Sequence, residues 1–428
     1  MKDIGVRYPL RTRSARRNTL MQALIGSTAL AALAACSSSG GTSTSQASTG
    51  AATSSSNGGV VATYVSQSQQ LLNTAAKAAV TGPSVGTAPL GEIVPWSASA
   101  MPAPSALATG KTIRVDVVYT YPVGSPPYLA HLIQAIGAKL NWKIKVFQAA
   151  SPTQQGALTV MQQAILDKPN AIIAAVVPAP YVMQALQQAK AEGIYTVAIH
   201  ADEPSDPGYD AYVPEGEGIQ KEILGAWIVA NSGGKGKTLL VSAPGFADAD
   251  VPAAAQFLQG CSGCSSKTVQ FNPNVFLDPT AEQSNIAATL TANPGTQYLL
   301  WAEGAVPLQG ALNAIQQSAD KTVQLVMNTA APQSIQLLKA GQVPMVVHSP
   351  EAMLAVLALD QVNRLVQGQK ALAGDAFRLP ITYWTKDNAP DPTYSAITAA
   401  QLKENDWLAP YEKAWGVSLK DAILSVNS

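Results

Sequence analysis

From residue 111 to about 379, short apolar or β-branched runs alternate with longer amphipathic ones, and few folds accommodate that alternation. A period near 2 in the short runs and near 3.6 in the long ones predicts successive βαβ units, which lay down a parallel sheet covered by helices. The first half predicts strands at 112–119, 143–147, 171–177 and 195–199, with helices at 128–140, 154–166 and 181–192 between them. Leu129, Leu132, Ile133 and Ile136 fall at i, i+3, i+4 and i+7, one face of a helix. Asp167-Lys168-Pro169-Asn170 and Glu192-Gly193 punctuate helix ends. The second half repeats the scheme, with strands at 238–242, 268–271, 297–301, 323–326 and 343–347. Its helices are expected at 218–230, 252–259, 281–291, 308–319, 332–340 and 351–367. The fold class is therefore α/β: two Rossmann-like lobes with parallel sheets, joined near 210–214 and again after His348 by a multi-strand hinge.

Charge narrows the functional classes. Lys plus Arg and Asp plus Glu number 27 each, but Lys2, Arg7, Arg11, Arg13, Arg16 and Arg17 crowd the first seventeen residues. The remainder is mildly acidic and has no basic stripe of the kind that displaces counterions from phosphates, so nucleic-acid binding is set aside.

Those six cations precede an apolar run, 20–33, that ends in Leu33-Ala34-Ala35-Cys36. A charged start, a short apolar stretch and small residues before a cut describe a secretory signal peptide, here 1–35. The run is shorter than the ~20 residues that span a bilayer. Leu-Ala-Ala-Cys resembles the lipobox of bacterial lipoproteins, which implies lipidation at Cys36. Arg16-Arg17 weakly resembles a twin-arginine signal, although Thr19 stands where that motif prefers a bulky apolar residue, so the export route stays open. Residues 36–59, nearly all Ser, Thr, Gly and Ala, predict a flexible tether, and 60–110 a helix followed by an extended segment. The folded part is thus expected outside the cytoplasm, held to a membrane by its lipid.

Cys261 and Cys264 remain, as Cys-Ser-Gly-Cys. A redox pair opens a helix after a strand, where the dipole lowers the thiol pKa; this pair instead trails a helix and precedes a strand. Zinc needs two more ligands, and His131, His200 and His348 are scattered. A local structural disulfide is expected, and no metal or cofactor.

The order of several phrases carries a family likeness. A strand leads into Tyr121-Pro-Val-Gly-Ser-Pro-Pro-Tyr128 and a helix; Asp167-Lys-Pro-Asn-Ala-Ile-Ile173, Ala189-Lys-Ala-Glu-Gly-Ile-Tyr-Thr-Val197, Leu224-Gly-Ala-Trp-Ile228 and Leu337-Leu-Lys-Ala-Gly341 follow. Together they resemble the periplasmic sugar-binding proteins of ribose-binding type, which have the type I periplasmic-binding-protein fold. The repressors that share this fold start with a helix-turn-helix, whereas this chain has a lipobox there. The resemblance implies a first lobe of 111–213 plus 349–377 and a second of 214–348 plus 378–428, the latter including a C-terminal extension.

In open parallel sheets, ligands lie beyond the carboxyl ends of the strands. Those positions hold Tyr121, Ser125, Tyr128, Pro178, Tyr181, His200 and Asp202 in the first half. The second half offers Phe246, Asp248, Asp250, Phe276, Asp278, Glu303, Asn328 and His348. Aromatic rings supply flat walls and the polar groups orient a ligand through hydrogen bonds, a mix suited to a sugar, a polyol or a small polar aromatic. Asp248 and Asp250 also suit caps of the following helix. The resemblance places Ser125 and Tyr128 at a ligand wall and matches Asp202, Phe276, Asn328 and His348 to ligand positions. Two departures weigh against a plain pentose or hexose. The expected Arg is absent from Pro252-Ala-Ala-Ala-Gln256, and the hinge Asp is Asn328.

Asn231-Ser-Gly-Gly-Lys-Gly-Lys-Thr238 imitates a phosphate loop but ends a helix and enters a strand, the reverse of what phosphate binding needs. No nucleophile elbow, Cys/His pair or cofactor fingerprint accompanies the carboxylates, so a hydrolytic enzyme is disfavoured. The expectation is a monomer that captures a small molecule by hinge closure and presents it to the permease of an ABC importer. The alternative is a lipoprotein that reports its ligand to a membrane receptor.

Overall fold

The computed structural model describes residues 55–82, 93–110, 112–200, 208–242, 250–272, 275, 278–301, 308–373 and 376–427. All of them fall in one unit, Ala52–Ser428. Cys36 and the signal and tether segments before residue 55 lie outside the described residues.

The first sheet is parallel throughout and ordered β4-β3-β5-β6-β7. Its strands are β3 (Arg114–Tyr119), β4 (Lys143–Gln148), β5 (Ala171–Ala175), β6 (Tyr195–Ile199) and β7 (Ala211–Val213). Its helices are α2 (Ser125–Lys139), α3 (Gln154–Asp167) and α4 (Ala179–Ala191). Their ends follow local rules. Pro126 and Pro127 occupy the first turn of α2, where no amide donor is needed. Thr153 caps α3 by accepting from the Gly156 amide, and Lys168 ends that helix in the left-handed region at φ 51°. Leu129, Leu132, Ile133 and Ile136 are all fully buried, as their spacing predicts.

The second sheet runs β9-β8-β10-β11-β12, with one antiparallel strand, β13, beside β12. It comprises β8 (Lys237–Ser242), β9 (Ser265–Gln270), β10 (Tyr298–Trp301), β11 (Gln324–Asn328), β12 (Val346–His348) and β13 (Thr382–Trp384). Its helices are α5 (Glu217–Asn231), α6 (Asp250–Gly260), α7 (Pro279–Ala292), α8 (Gln309–Gln317) and α9 (Pro332–Lys339). Both sheets thus place their parallel strands in the same relative order. On β10 the pleat sends Tyr298 and Leu300 to one core and Leu299 and Trp301 to the other. Gly225 on α5 is needed for close packing, because a Cβ there would sit 2.8 Å from the Phe257 ring of α6. Cys261 and Cys264 are disulfide-bonded just past α6.

The chain passes between the sheets three times. It leaves β7 for α5, leaves β12 for α10 (Glu351–Val366), which packs on α2, β6 and β7, and returns to β13. Neither β7 nor β13, three residues each, is recognisable from periodicity.

Both termini of the described chain reinforce these crossings. Helix α1 (Ser55–Ala75) starts and stops earlier than its predicted 60–80 and packs on α5. Tyr64 Oη donates to the Phe257 carbonyl at 2.7 Å. After β1 (Val80–Thr81), Val80 and Ile381 exchange two backbone hydrogen bonds of 2.8 Å. The antiparallel partner of β1 is β2 (Val94–Pro95). Segment 96–108 then runs along α10, where Asp360 Oδ1 accepts from the Ser105 amide and Asn363 Oδ1 from the Ala108 amide. Helix α10 is therefore covered on its polar side too, which accounts for its buried Asp360 and Asn363, while the buried Gln361 donates to the Tyr212 and Leu372 carbonyls.

The C-terminal residues depart from the expected docking on the second lobe. In α11 (Tyr394–Glu404), Ile397 packs with the second sheet, but Tyr394 and Thr398 engage the first lobe. Trp407 just before α12 (Ala409–Trp415), Tyr411 and Trp415 within it, and Ile423 of α13 (Lys420–Leu424) lie in the core that contains α2 and α10. The segment straddles both lobes because its aromatic anchors find apolar surface on each.

Candidate functional site

Backbone strain marks the carboxyl ends of the strands. Among described non-glycine residues with positive φ, Val176 (55°), His200 (53°) and Thr329 (71°) follow β5, β6 and β11. Two of these are β-branched, for which the left-handed region is costly; such residues persist where the surrounding structure holds them, commonly at binding sites. Asn141 and Lys168, the other two, merely end helices.

Here the two lobes meet. Tyr121, just past β3, is buried within the apolar cluster of the second sheet that contains Trp301 and Met327, and Val176 packs against the same cluster. Ser125 opens α2 with its Oγ buried and no hydrogen-bond partner among the described residues. Tyr128, one turn on, is 1% exposed. Its hydroxyl pairs with Thr398 Oγ1 and its ring stacks on Tyr394, so the C-terminal segment covers the wall expected to face a ligand. Pro178 caps α4 and is half-buried.

On the second lobe Asn328 ends β11. Its Oδ1 accepts from Lys221 Nζ at 2.7 Å and its Nδ2 donates to Gln220 Oε1 at 3.2 Å. His348 ends β12, buried, with its ring 3.8 Å from that of Trp384. Its Nδ1 accepts from Gln401 Nε2 at 3.1 Å, and the same amide donates to the Ser349 carbonyl. Burial pushes the His348 pKa down to about 3, so the ring stays neutral. Asp278 caps α7 by accepting from the Thr280 and Ala281 amides, a structural role. Asp202, Phe246, Asp248, Phe276 and Glu303 lie outside the described residues, and of Asp250 only the backbone position, opening α6, is described.

A buried charge group unforeseen from the sequence sits at the crossings. His200 Nδ1 lies 2.9 Å from Glu215 Oε2, and its Nε2 lies 3.1 Å from Glu351 Oε2. The three bring one potential metal-ligating atom each within 4.8 Å of one another. The two imidazole nitrogens, however, face different carboxylates, which is the geometry of a doubly paired imidazolium and not of convergent ligands. Burial disfavours the charged imidazole, but the two carboxylates outweigh it and hold its pKa well above 6.5. Burial likewise disfavours the Glu215 carboxylate, and the His200 cation overcomes it, bringing that pKa down to about 2. The sequence signal for this group was slight: a Glu beside each expected crossing.

Residues 123–370 match the family model of the periplasmic binding protein domain. Several solved structures share the fold. An ABC transporter solute-binding protein from Agrobacterium vitis, bound with α-D-tagatopyranose, is 19% identical with a TM-score of 0.58 and covers 66% of this chain and 97% of its own. A carbohydrate transporter from Acidothermus cellulolyticus, in complex with myo-inositol, is 18% identical with a TM-score of 0.54, covering 69% and 99%. A second solute-binding protein from A. vitis, with bound allitol, is 16% identical with a TM-score of 0.56, covering 65% and 97%. No curated protein sequence gives a significant match.

Proposed function

The chain belongs to the periplasmic binding protein family, and on that premise we propose that it is an exported lipoprotein that captures a sugar, polyol or related small polar molecule for an ABC importer. The observation that carries this reading is the meeting of the two sheets' carboxyl ends, where Tyr121 of the first lobe is buried against the second and strained residues line the junction. A molecule held there contacts both lobes, so its binding energy favours the apposed arrangement over the separated one. Importers of this kind recognise the closed form. The solved relatives that carry tagatopyranose, myo-inositol and allitol support a polyhydroxylated ligand.

Anchoring rests on Cys36 and the small residues before it. No helix among the described residues is long and apolar enough to cross a membrane. On this reading the folded part works outside the cytoplasm, as a monomer that binds its ligand without transforming it. Incorporation of labelled palmitate that disappears in Cys36→Ser tests the anchor.

A thermal-shift panel of sugars, polyols, amino acids and nucleosides tests the ligand class. A ligand at about 100 times its dissociation constant adds about 2.7 kcal/mol. At about 2–4 °C per kcal/mol in a chain of this size, the shift is readily measured. A response confined to sugars and polyols supports the proposal; a response confined to another class overturns it.

A further inference from the structure

His200, Glu215 and Glu351 belong to three separate chain segments: the end of β6, the first crossing and the start of α10 immediately after the second crossing. Their side chains are only 7%, 4% and 4% exposed. An imidazole whose two nitrogens each meet a carboxylate oxygen satisfies both as N–H donors only when it is the cation. The surroundings fit that state. The Lys221 ammonium, from α5, draws on Glu215, and Glu217, also from α5, shares a hydrogen bond with it. Around Glu351 stand the phenols of Tyr128 from α2 and Tyr394 from α11. Among the buried side chains Glu215, Glu351, His200 and Lys221, two negative charges are balanced by two positive ones only while His200 keeps its proton. Without it, two carboxylates face one another across an uncharged ring in a medium where repulsion is poorly screened.

We propose that the His200 imidazolium is a charge rivet of the hinge, fastening both crossings to the first lobe and so coupling the angle between the lobes to a single proton. The proposal rests on the two-lobed binding reading, which supplies the hinge. Its pH sense follows from the direction of the shift. The folded-state pKa lies well above the unfolded value near 6.5. The rivet is therefore complete below that unfolded value and is lost as pH rises through the folded one. The hinge is held at neutrality and slackens in alkali. Acid reaches the Glu351 link first, because burial raises that carboxyl's pKa while the His200 cation holds Glu215 down; a protonated Glu351 still accepts the Nε2 hydrogen through its carbonyl oxygen.

Two readouts on the detergent-solubilised full-length chain test this. With three histidines in the sequence, side-chain 15N spectra of the wild type, His131→Gln and His348→Gln assign each ring. The His200 ring is expected to carry both protons well above the ordinary range near 6.5, while His348 stays neutral. Spin labels at the exposed positions Leu166 and Thr291, one per lobe, report the interlobe distance. The distribution is expected to broaden as His200 deprotonates, and to be broad at every pH in His200→Gln. The Glu215→Gln/Glu351→Gln/His200→Gln variant, which removes the buried charges together, is expected to be narrow and pH-independent, separating loss of the rivet from loss of fold. A neutral His200 ring near pH 7, or a distance that ignores its titration, overturns the rivet. If the distance then still responds to ligand, the binding reading stands; if it responds to neither, that reading falls as well.

Discussion

The ring of Tyr394 lies over that of Tyr128 with centroids 4.0 Å apart and planes 14° from parallel. The Tyr394 hydroxyl also donates to the Gly124 carbonyl at 2.8 Å. One turn further along α11, Thr398 meets the Tyr128 hydroxyl; a turn beyond that, Gln401 reaches His348 and Ser349 at the end of the second sheet. A single helix from outside the family-matched region thus touches the carboxyl ends of the strands in both lobes. Glu404, at its end, accepts from the Trp384 indole at 2.7 Å, tying the helix to β13 as well. Any change in the angle between the lobes has to carry α11 with one of them or part it from the other.

Tyr394→Ala removes a half-buried stacked ring together with its hydrogen bond, and should cost no more than the ~3–5 kcal/mol of a fully buried aromatic. Tyr394→Phe keeps the ring and loses about 1 kcal/mol. Urea unfolding of the two variants should show that ordering. Equal losses would mean that the hydrogen bond, and not the stack, holds the segment.

Asp116 lies on β3, an interior strand of the first sheet, and is 2% exposed. Burial, helped by Asp167, pushes its pKa up to about 7 against the pull of Lys145 and Arg114. An acid whose pKa is raised on folding favours the native state when protonated, so its contribution is fullest below its unfolded value and declines as pH rises toward about 7. Asp116→Asn should therefore raise the melting temperature above pH 7 and leave it nearly unchanged near pH 4, the unperturbed carboxylate range of about 3.9. A gain that is constant across pH would show that the carboxyl does not titrate there.

Lys221 is fully buried and donates to Asn328. Lys221→Met leaves Glu215 with less compensation, and breaking a buried ionic arrangement from one side costs about 3–5 kcal/mol. Lys221→Met/Glu215→Gln should recover part of that loss in a double-mutant cycle measured by urea unfolding. Strict additivity would argue that the two charges do not interact.

The Cys261–Cys264 bridge spans a sequence separation of three. Short loops restrict the unfolded chain little, so Cys261→Ser/Cys264→Ser should cost no more than about 2 kcal/mol by the loop-entropy relation. Ligand shifts should persist in that variant. A larger loss would mean that the bridge also sets the α6 terminus against Gly234, whose carbonyl lies 3.4 Å from the Cys261 sulfur.

The regular part of the fold was legible because each helix face and buried strand writes its own period, as Leu129 to Ile136 and the fully buried β5 do. The Cys-Ser-Gly-Cys bridge was legible because its geometry is local. The C-terminal segment was not. Its anchors Tyr411 and Trp415 sit on one short helix and Trp407 just before it, with little periodicity, and the segment's destination depends on partners such as Gly124, 270 residues before Tyr394. The charge group at the crossings is likewise non-local, since His200 and Glu351 are 151 residues apart. Strand-end logic reached Tyr121, Asn328 and His348 as residues at the junction. It could not foresee that Lys221 and Gln220 engage Asn328, or that Gln401 and Trp384 enclose His348.

Small-angle X-ray scattering with and without a saturating sugar or polyol identified by thermal shift tests the central claim most directly. If a ligand is held between the lobes, binding should reduce the radius of gyration and narrow the distance distribution. A ligand that binds tightly yet leaves the scattering profile unchanged would contradict capture by hinge closure.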